Sequence, residues 1–283
     1  MEPLIRNISD TAKWVAIFRA DESERPGAVF HDPFARRLAG KQGEEIANNI
    51  GFSRENSWSF VARTFLFDEF IKQHVEQGYD MIINLAAGLD ARPYRMQLPS
   101  SLQWIEVDLP EILSYKEEIL ANEKPNCALQ RIKQDLSDSE ARKELFKGLG
   151  NKSNNAPIIS EGLIAYLDNN VVGTLAEDLS AQKNFNHWVL DLMSPGLLAL
   201  LQKEMRALEE AKMPLKFAPE EGEGFFYRYG WKSLESKSFL KTAAKLKRLS
   251  EEMMQYAAFP EPEGPKGTIP WAGVCLFENR NNS

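Results

Sequence analysis

"MIINLAAGLDARPYR", residues 81–95, decides how this chain is read. Met81-Ile82-Ile83-Asn84-Leu85 is a short apolar run, the pattern of a buried strand. It passes into Ala86-Ala87-Gly88 and then into a charged segment from Asp90 to Arg95. A strand that ends in residues with almost no side chain lets something come close to the backbone. The turn is not a full G-x-G-x-x-G phosphate fingerprint, because Ala86 replaces the first glycine and Ala91 stands at the third. Taken alone, it fits a ligand turn and a bare strand-to-helix junction equally well.

Working outward, strand-like runs recur at 80–87, 102–108, 127–134, 156–160 and 186–192, each followed by a helical pattern. Such alternation predicts βαβ units, a mostly parallel sheet and helices on both faces. "WKSLESKSF" (231–239) and "AGVCLFENR" (272–280) read as a closing antiparallel pair. Upstream of the first strand, residues 10–25 and 55–77 read as helices, with a breaker at Pro26-Gly27. Pro110 suits a first helical turn, Ser137 with Glu140 has capping-box spacing, and Asp168 is placed to cap a helix over 169–182. Residues 196–212 and 238–258 also look helical, flanking the aromatic stretch "PEEGEGFFYRYGW" (219–231). Residues 196–258 read in part as an insertion over the sheet edge where a substrate enters.

The bulk numbers exclude several classes. The 283 residues carry 34 Lys and Arg against 41 Asp and Glu, a net charge of −7. An acidic chain is a poor partner for a phosphate backbone, so no nucleic acid is expected. The basic run from Lys237 to Arg248 reads as a solvated helix face. Cys127 and Cys275 are far apart, and His31, His74 and His187 show no metal-ligand spacing, so no metal is expected. No basic-then-apolar leader opens the chain, and no apolar run approaches the roughly 18 residues of a membrane helix. A reducing cytoplasm is the expected compartment.

The strand ends carry the chemistry. Asp108 ends the second strand 20 residues after Gly88, where a carboxylate accepts from ribose hydroxyls. It could instead cap the helix that begins at Pro110. Asp135 and Leu136 end the third strand and suit an adenine edge and face, although Asp135 also fits a helix cap. Glu161 follows the fourth strand, where a buried carboxylate calls for a cation. Arg63, among Phe60, Val61 and Phe65, either grips a ligand carboxylate or pairs with Asp68 or Glu69.

These tips together resemble the leucine carboxyl methyltransferase family of S-adenosyl-L-methionine-dependent enzymes, in its bacterial O-methyltransferase branch of polyketide or secondary metabolism. The resemblance is carried by "DTAKWVAIFRADESERPGAVFHDPFARRLAG" (10–40), "VART" (61–64), "NLAAGLDARPYRM" (84–96), "EVDLPEIL" (106–113), "QDLSD" (134–138) and "SEGLIAYL" (160–167). It implies an α/β, Rossmann-like class I methyltransferase with a mostly parallel seven-stranded sheet. The domain would comprise an N-terminal helical lid (1–78), a cofactor-binding core (79–195) and a substrate-side insertion with closing strands (196–283). It implies that Arg63 binds the methionine carboxylate of the cofactor, that Ala86 and Gly88 line its methionine portion, and that Asp108 with Leu109 holds the ribose. Asp135 and Leu136 would meet the adenine, and Glu161 the methionine amino group and sulfonium. One departure stands out: the family usually has Gly-Ala-Gly where this chain has Ala86-Ala87-Gly88.

The expected reaction is O-methylation of a carboxylate or hydroxyl on a small-molecule acceptor, leaving S-adenosyl-L-homocysteine. His31, His187 and Tyr166 are the side chains that could assist a hydroxyl acceptor, although packing is the commoner role for each. Phe225, Phe226, Tyr227, Tyr229 and Trp231 could line an acceptor pocket or belong to the core. Rival readings are a protein C-terminal carboxyl methyltransferase, an NAD(P)-dependent oxidoreductase and a non-catalytic cofactor-binding protein. Ala86 and Ala91 argue against the dinucleotide.

Overall fold

Met81–Leu85 folds as β1, with every residue buried. The structure, a computed structural model, describes residue 5 and residues 8–49, 57–204, 214–261 and 264–282. The further strands are β2 (Gln103–Asp108), β3 (Ala128–Lys133), β4 (Ile158–Ser160), β5 (His187–Met193), β6 (Trp231–Ser238) and β7 (Ala272–Asn279). They form one seven-stranded sheet in the order β3-β2-β1-β4-β5-β7-β6. β1 to β5 pair in parallel, and β7 runs antiparallel between β5 and β6. From β1 the chain steps outward to β2 and β3, then returns across β1 to β4. A crevice opens at the carboxyl ends beside that reversal.

The helices are α1 (Ile8–Glu24), α2 (Ala35–Asn49), α3 (Trp58–Glu76), α4 (Arg92–Arg95), α5 (Pro110–Ile119), α6 (Ser139–Gly150), α7 (Asn169–Ser180), α8 (Pro195–Glu204), α9 (Phe239–Lys245) and α10 (Glu251–Ala258). Alternate strand residues serve opposite faces. Ile82, Trp104, Ile159 and Val189 pack with Phe67, Phe70 and Ile71 of α3 and Phe239 of α9. Ile83, Ile105, Ile158, Trp188 and Leu190 pack with Phe146 of α6 and Val172, Leu175 and Leu179 of α7. Burial on both faces explains why these strands read as unbroken apolar runs. Each large apolar side chain so buried contributes about 1.5–3 kcal/mol. A third cluster joins α1, α2 and α5 through Trp14, Ile17, Leu38, Ile46 and Leu113. Phe225, Phe226 and Trp231 belong to the core beneath β5, so the aromatic stretch supplies packing.

Several local expectations shift. Asp135 Oδ1 takes the Ser137 N–H at 2.8 Å, so α6 starts one residue later, with Asp138 accepting from the Ala141 N–H at 3.1 Å. Asp168 sits at the start of α7, but its carboxylate reaches the Lys216 ammonium at 2.9 Å and makes no cap hydrogen bond. The helix expected over 238–258 divides into α9 and α10, with Lys247 at φ 58° between them and Ser250 as the second N-cap. The basic run is no solvated helix face. Lys237 lies in β6 with its ammonium over the Phe70 ring, and Arg248 makes a two-pronged contact with Glu22 of α1 at 2.7 and 2.9 Å. Residues 55–56 and 205–212 of the expected helices lie outside the described residues.

At the amino ends of the strands, His74 Nε2 lies 2.9 Å from His187 Nδ1, and the Tyr79 hydroxyl lies 2.9 Å from that same nitrogen. Burial depresses the His74 imidazole to about 4, outweighing the Phe70 carbonyl that accepts its other N–H. His187 is pushed down by burial as well. The folded value lies below the unfolded value of 6.5, so this stability is present above 6.5 and is lost as pH falls toward 4. We expect urea unfolding across that window to show the wild type losing on the order of 2–3 kcal/mol more than His74→Gln. Parallel pH profiles for the two proteins would contradict the assignment.

Candidate active site

The carboxyl ends of the five parallel strands open into one cavity of about 1240 Å³. Arg63, Ala86, Gly88, Asp108, Leu109, Asp135, Leu136 and Glu161 all border it, although they come from distant parts of the chain. The N-terminal segment contributes Thr11, Ala12, Trp14 and Val15 of α1. Arg19 ties that helix down, donating to Asp32 at 2.9 Å and to the Leu89 carbonyl at 2.7 Å.

The turn after β1 is tight. Ala86 takes φ 52° and Gly88 φ 47°, both in the left-handed region that favours glycine. A Cβ at Gly88 would lie 3.5 Å from the Ala12 Cβ, so the turn sits directly under α1. The Gly88 N–H donates to Asp108 Oδ2 at 2.6 Å, and the Leu109 N–H donates to Oδ1 at 2.7 Å. Asp108 therefore does not cap α5, whose N-cap is Leu109. Burial raises the Asp108 carboxyl above its ordinary value, against the pull of those two N–H groups. Each of its oxygens retains acceptor capacity.

Beside β4 and β5 lies a lattice of buried charges. Arg63 Nε donates to Glu161 Oε1 at 3.0 Å, and its Nη1 reaches Asp191 Oδ2 at 3.5 Å. The expected pairing of Arg63 with Asp68 or Glu69 does not form. Asp68 is taken by Arg92 at 2.6 Å and Arg95 at 2.7 Å. Glu161 also meets Arg92 Nη2 at 2.9 Å, so its charge is balanced by protein cations. Burial opposes the charge on Arg63, yet Asp191 and Glu161 overcome it and hold the guanidinium above its ordinary value. Burial likewise pushes the Asp191 carboxyl up against the pull of Arg63. It would raise Asp90 too, but Arg92, Lys116 and Arg95 bring that carboxyl down to about 2.

Sequence reading missed Asp191, which borders the cavity and accepts the Gly162 N–H at 2.7 Å. Its place in "WVLDLM", late in an apolar strand, was the available signal. It also missed Gln134, whose Nε2 is buried without a hydrogen-bond partner and which borders the cavity beside Asp135. Among the proposed helpers, Tyr166 borders the cavity, while His31 is exposed elsewhere and His187 belongs to the cluster at the opposite ends of the strands. Phe225, Phe226, Tyr227, Tyr229 and Trp231 do not border the cavity.

A switch-point crevice on a sheet of this order defines the class, a Rossmann-like α/β methyltransferase fold. A solved structure described as a DUF574 family protein from Streptomyces avermitilis shares it at a TM-score of 0.58 and 12% identity, covering 94% of this chain and 96% of that one. The sequence profile of the leucine carboxyl methyltransferase family matches residues 12–180. A Parafrankia relative named "Putative S-adenosyl-L-methionine-dependent methyltransferase" is 29% identical over 226 residues, 76% of this chain and 69% of the relative. A similarly named Streptomyces avermitilis relative is 28% identical, covering 79% of this chain and 82% of its own. The chain belongs to the leucine carboxyl methyltransferase family and is an S-adenosyl-L-methionine-dependent methyltransferase.

Two substitutions test this geometry. Ala86→Gly relieves a left-handed conformation and should stabilise the fold by about 1 kcal/mol. Thermal unfolding should rise by roughly 2–4 °C, and an unchanged or lower midpoint would contradict the strained turn. Arg63→Met leaves the mostly buried Asp191 without a cation and Glu161 with Arg92 alone, and should cost about 3 kcal/mol in urea unfolding. A loss typical of an exposed pair, about 0–1 kcal/mol, would show that the lattice contributes little.

Proposed function

We propose that the chain transfers the cofactor's methyl group to a carboxylate oxygen of a small-molecule acceptor with an apolar body. The observation that carries this reading is the placement of the histidines: the chain has three, and none borders the cavity. The carboxylates at the strand tips are committed as well, Asp108 to two N–H groups, Glu161 to two arginines and Asp191 to Gly162 and Arg63. Tyr166 does border the cavity, but burial pushes its hydroxyl above its ordinary value, so an acceptor that must lose a proton is poorly served there, whereas a carboxylate is already ionised near neutral pH.

The residues suit the cofactor. Asp108 has acceptor capacity for two ribose hydroxyls. Arg63 Nη2 makes no hydrogen bond among the described residues and is the group for the methionine carboxylate. Glu161 serves the methionine amino group, and Asp135 and Leu136 serve the adenine, where the unpartnered Gln134 amide supplies a further donor. Ala86 and Gly88 admit the methionine portion under α1, and Leu109 orients Asp108. When bound, the cofactor supplies a methyl group on a sulfonium. Transfer would form the O–CH3 bond at the acceptor as the S–CH3 bond breaks toward sulfur, and a carboxylate acceptor would leave no proton for these residues to place. The protein's part is alignment and exclusion of water by α1 and α8.

The cavity exceeds the usual 300–1,000 Å³ of a single ligand site, which supports room for cofactor and acceptor together. Among the described residues no helix is long and apolar enough to cross a membrane. Cys127 and Cys275 are both free, which supports the cytoplasm as the compartment.

Two measurements test the reading. Asp108→Ala should weaken S-adenosylhomocysteine binding roughly 10–100-fold by calorimetry. Equal affinity in the two proteins would remove Asp108 from the cofactor site. A transfer assay with tritiated methyl on aryl and alkyl carboxylic acids and phenols should give products whose label is released by mild base, as esters release it. Base-stable products alone would overturn the carboxylate.

A further inference from the structure

Among the described residues, most of the large apolar side chains left on the surface gather in one place, whereas Tyr227, Leu234 and Met254 lie elsewhere. Leu200 of α8, Tyr256 of α10, Phe259 and Ile269 are 40%, 51%, 66% and 49% exposed, and all four border the same cavity. Singly exposed apolar residues need no explanation, but a set gathered around one opening does. α10 adds to the case. No residue of this helix is buried, yet it directs Met253 and Tyr256 to the cavity. The Lys241 ammonium donates to the carbonyls of Ala257 and Phe259 at 2.6 Å each and pins the segment in place. A helix that buries nothing of its own, held at a mouth by one lysine, gains its apolar contacts from whatever occupies that mouth. Farther in, the wall continues apolar through Leu215 and Trp271, which are 8% and 7% exposed.

We propose that the acceptor is an elongated amphiphile. Its oxygen head lies at the strand tips, and its long apolar tail runs along Leu215 and Trp271 and emerges between Leu200, Tyr256, Phe259 and Ile269. This rests on the methyl-transfer reading and narrows it, because a compact acid would fill only the inner chamber and leave the rim wet. The cavity of about 1240 Å³ has to hold the methyl donor and the acceptor with its tail together, and the tail continues past the rim. The tail's apolar surface, once covered, accounts for the exposed rim.

The test is a kinetic series with straight-chain carboxylic acids from butyrate to palmitate, beside a matched series of 4-alkylphenols, using tritiated-methyl cofactor. The expected result is a kcat/KM that climbs roughly tenfold for every two methylenes over the middle of the series. In Phe259→Ser the palmitate-to-butyrate ratio of kcat/KM should fall about tenfold. Titration of that variant with S-adenosylhomocysteine checks that the cofactor end remains intact. Turnover independent of chain length, or best with butyrate, overturns the tail while leaving carboxylate methylation standing. A length dependence confined to the phenols supports the tail and overturns the carboxylate head. Cofactor binding with no product from either series overturns both.

Discussion

The short hydrogen bond from the Gly88 N–H to Asp108 is the contact on which the rest of the site depends. It joins the tip of β1 to the tip of β2 and sets the spacing between a turn stripped of side chains and a carboxylate. Parallel pairing brings the two tips alongside, since Leu85 is in register with Val107. Hydrogen bonding then fixes which way the carboxylate faces. The Leu109 N–H holds the second oxygen, so the side chain is oriented without using the α5 cap. A carboxylate in the role proposed for Asp108, accepting two ribose hydroxyls, gains from such preorganisation, because little rotamer freedom remains to be lost on binding.

The same tips concentrate charge where water is scarce. Asp68, Asp90, Glu161 and Asp191 face Arg63, Arg92 and Arg95 across a few ångströms. Buried pairs of this kind contribute little net stability over apolar packing, but breaking one is expensive. The lattice therefore acts as a positional constraint. It ties α3 to the turn after β1 and to the ends of β4 and β5, so four separate stretches of chain must arrive together before the charges are satisfied. Arg63 occupies the junction, gripped from two sides while its Nη2 makes no hydrogen bond among the described residues.

How much of this was legible depends on where the determining physics lay. The five parallel strands could be read because burial on both faces leaves unbroken apolar runs. The strand-tip residues gathered at the cavity could be read because topology places every parallel strand's carboxyl end on one side, whereas Arg63, on α3, was pointed to by the family resemblance. Partnerships could not be read. Arg63 faces Glu161 and Asp191, which lie 98 and 128 residues away, while the nearer Asp68 is claimed by Arg92 and Arg95. Capping failed for a related reason. Ser137 has the correct spacing, but a preceding aspartate competes for its N–H at a range that residue pattern alone does not rank. The aromatics at 225–231 could be read as pocket or core because composition does not say which face they present; Phe225, Phe226, Tyr229 and Trp231 pack in the core, and Tyr227 is exposed.

The cavity thus has two halves with different physics. Strand tips and buried ion pairs build one half, the one proposed to hold the cofactor, where each polar group is fixed by another and a small displacement would leave charge unpaired. The far half is walled by α8, α10 and the segments around Phe259 and Ile269, with apolar contacts that carry no directional demand. Hydrophobic contact tolerates substitution so long as volume and polarity are kept, whereas a hydrogen-bonded lattice does not. The division explains why the first half reads plainly in the sequence while the second reads only as helical stretches whose cavity-facing sides the pattern does not mark. It also lets one fold hold its methyl donor rigidly while the acceptor wall is reshaped by exchanges such as Leu200, Tyr256 or Phe259 for other apolar residues, none of which touches the charges that hold the strand tips together.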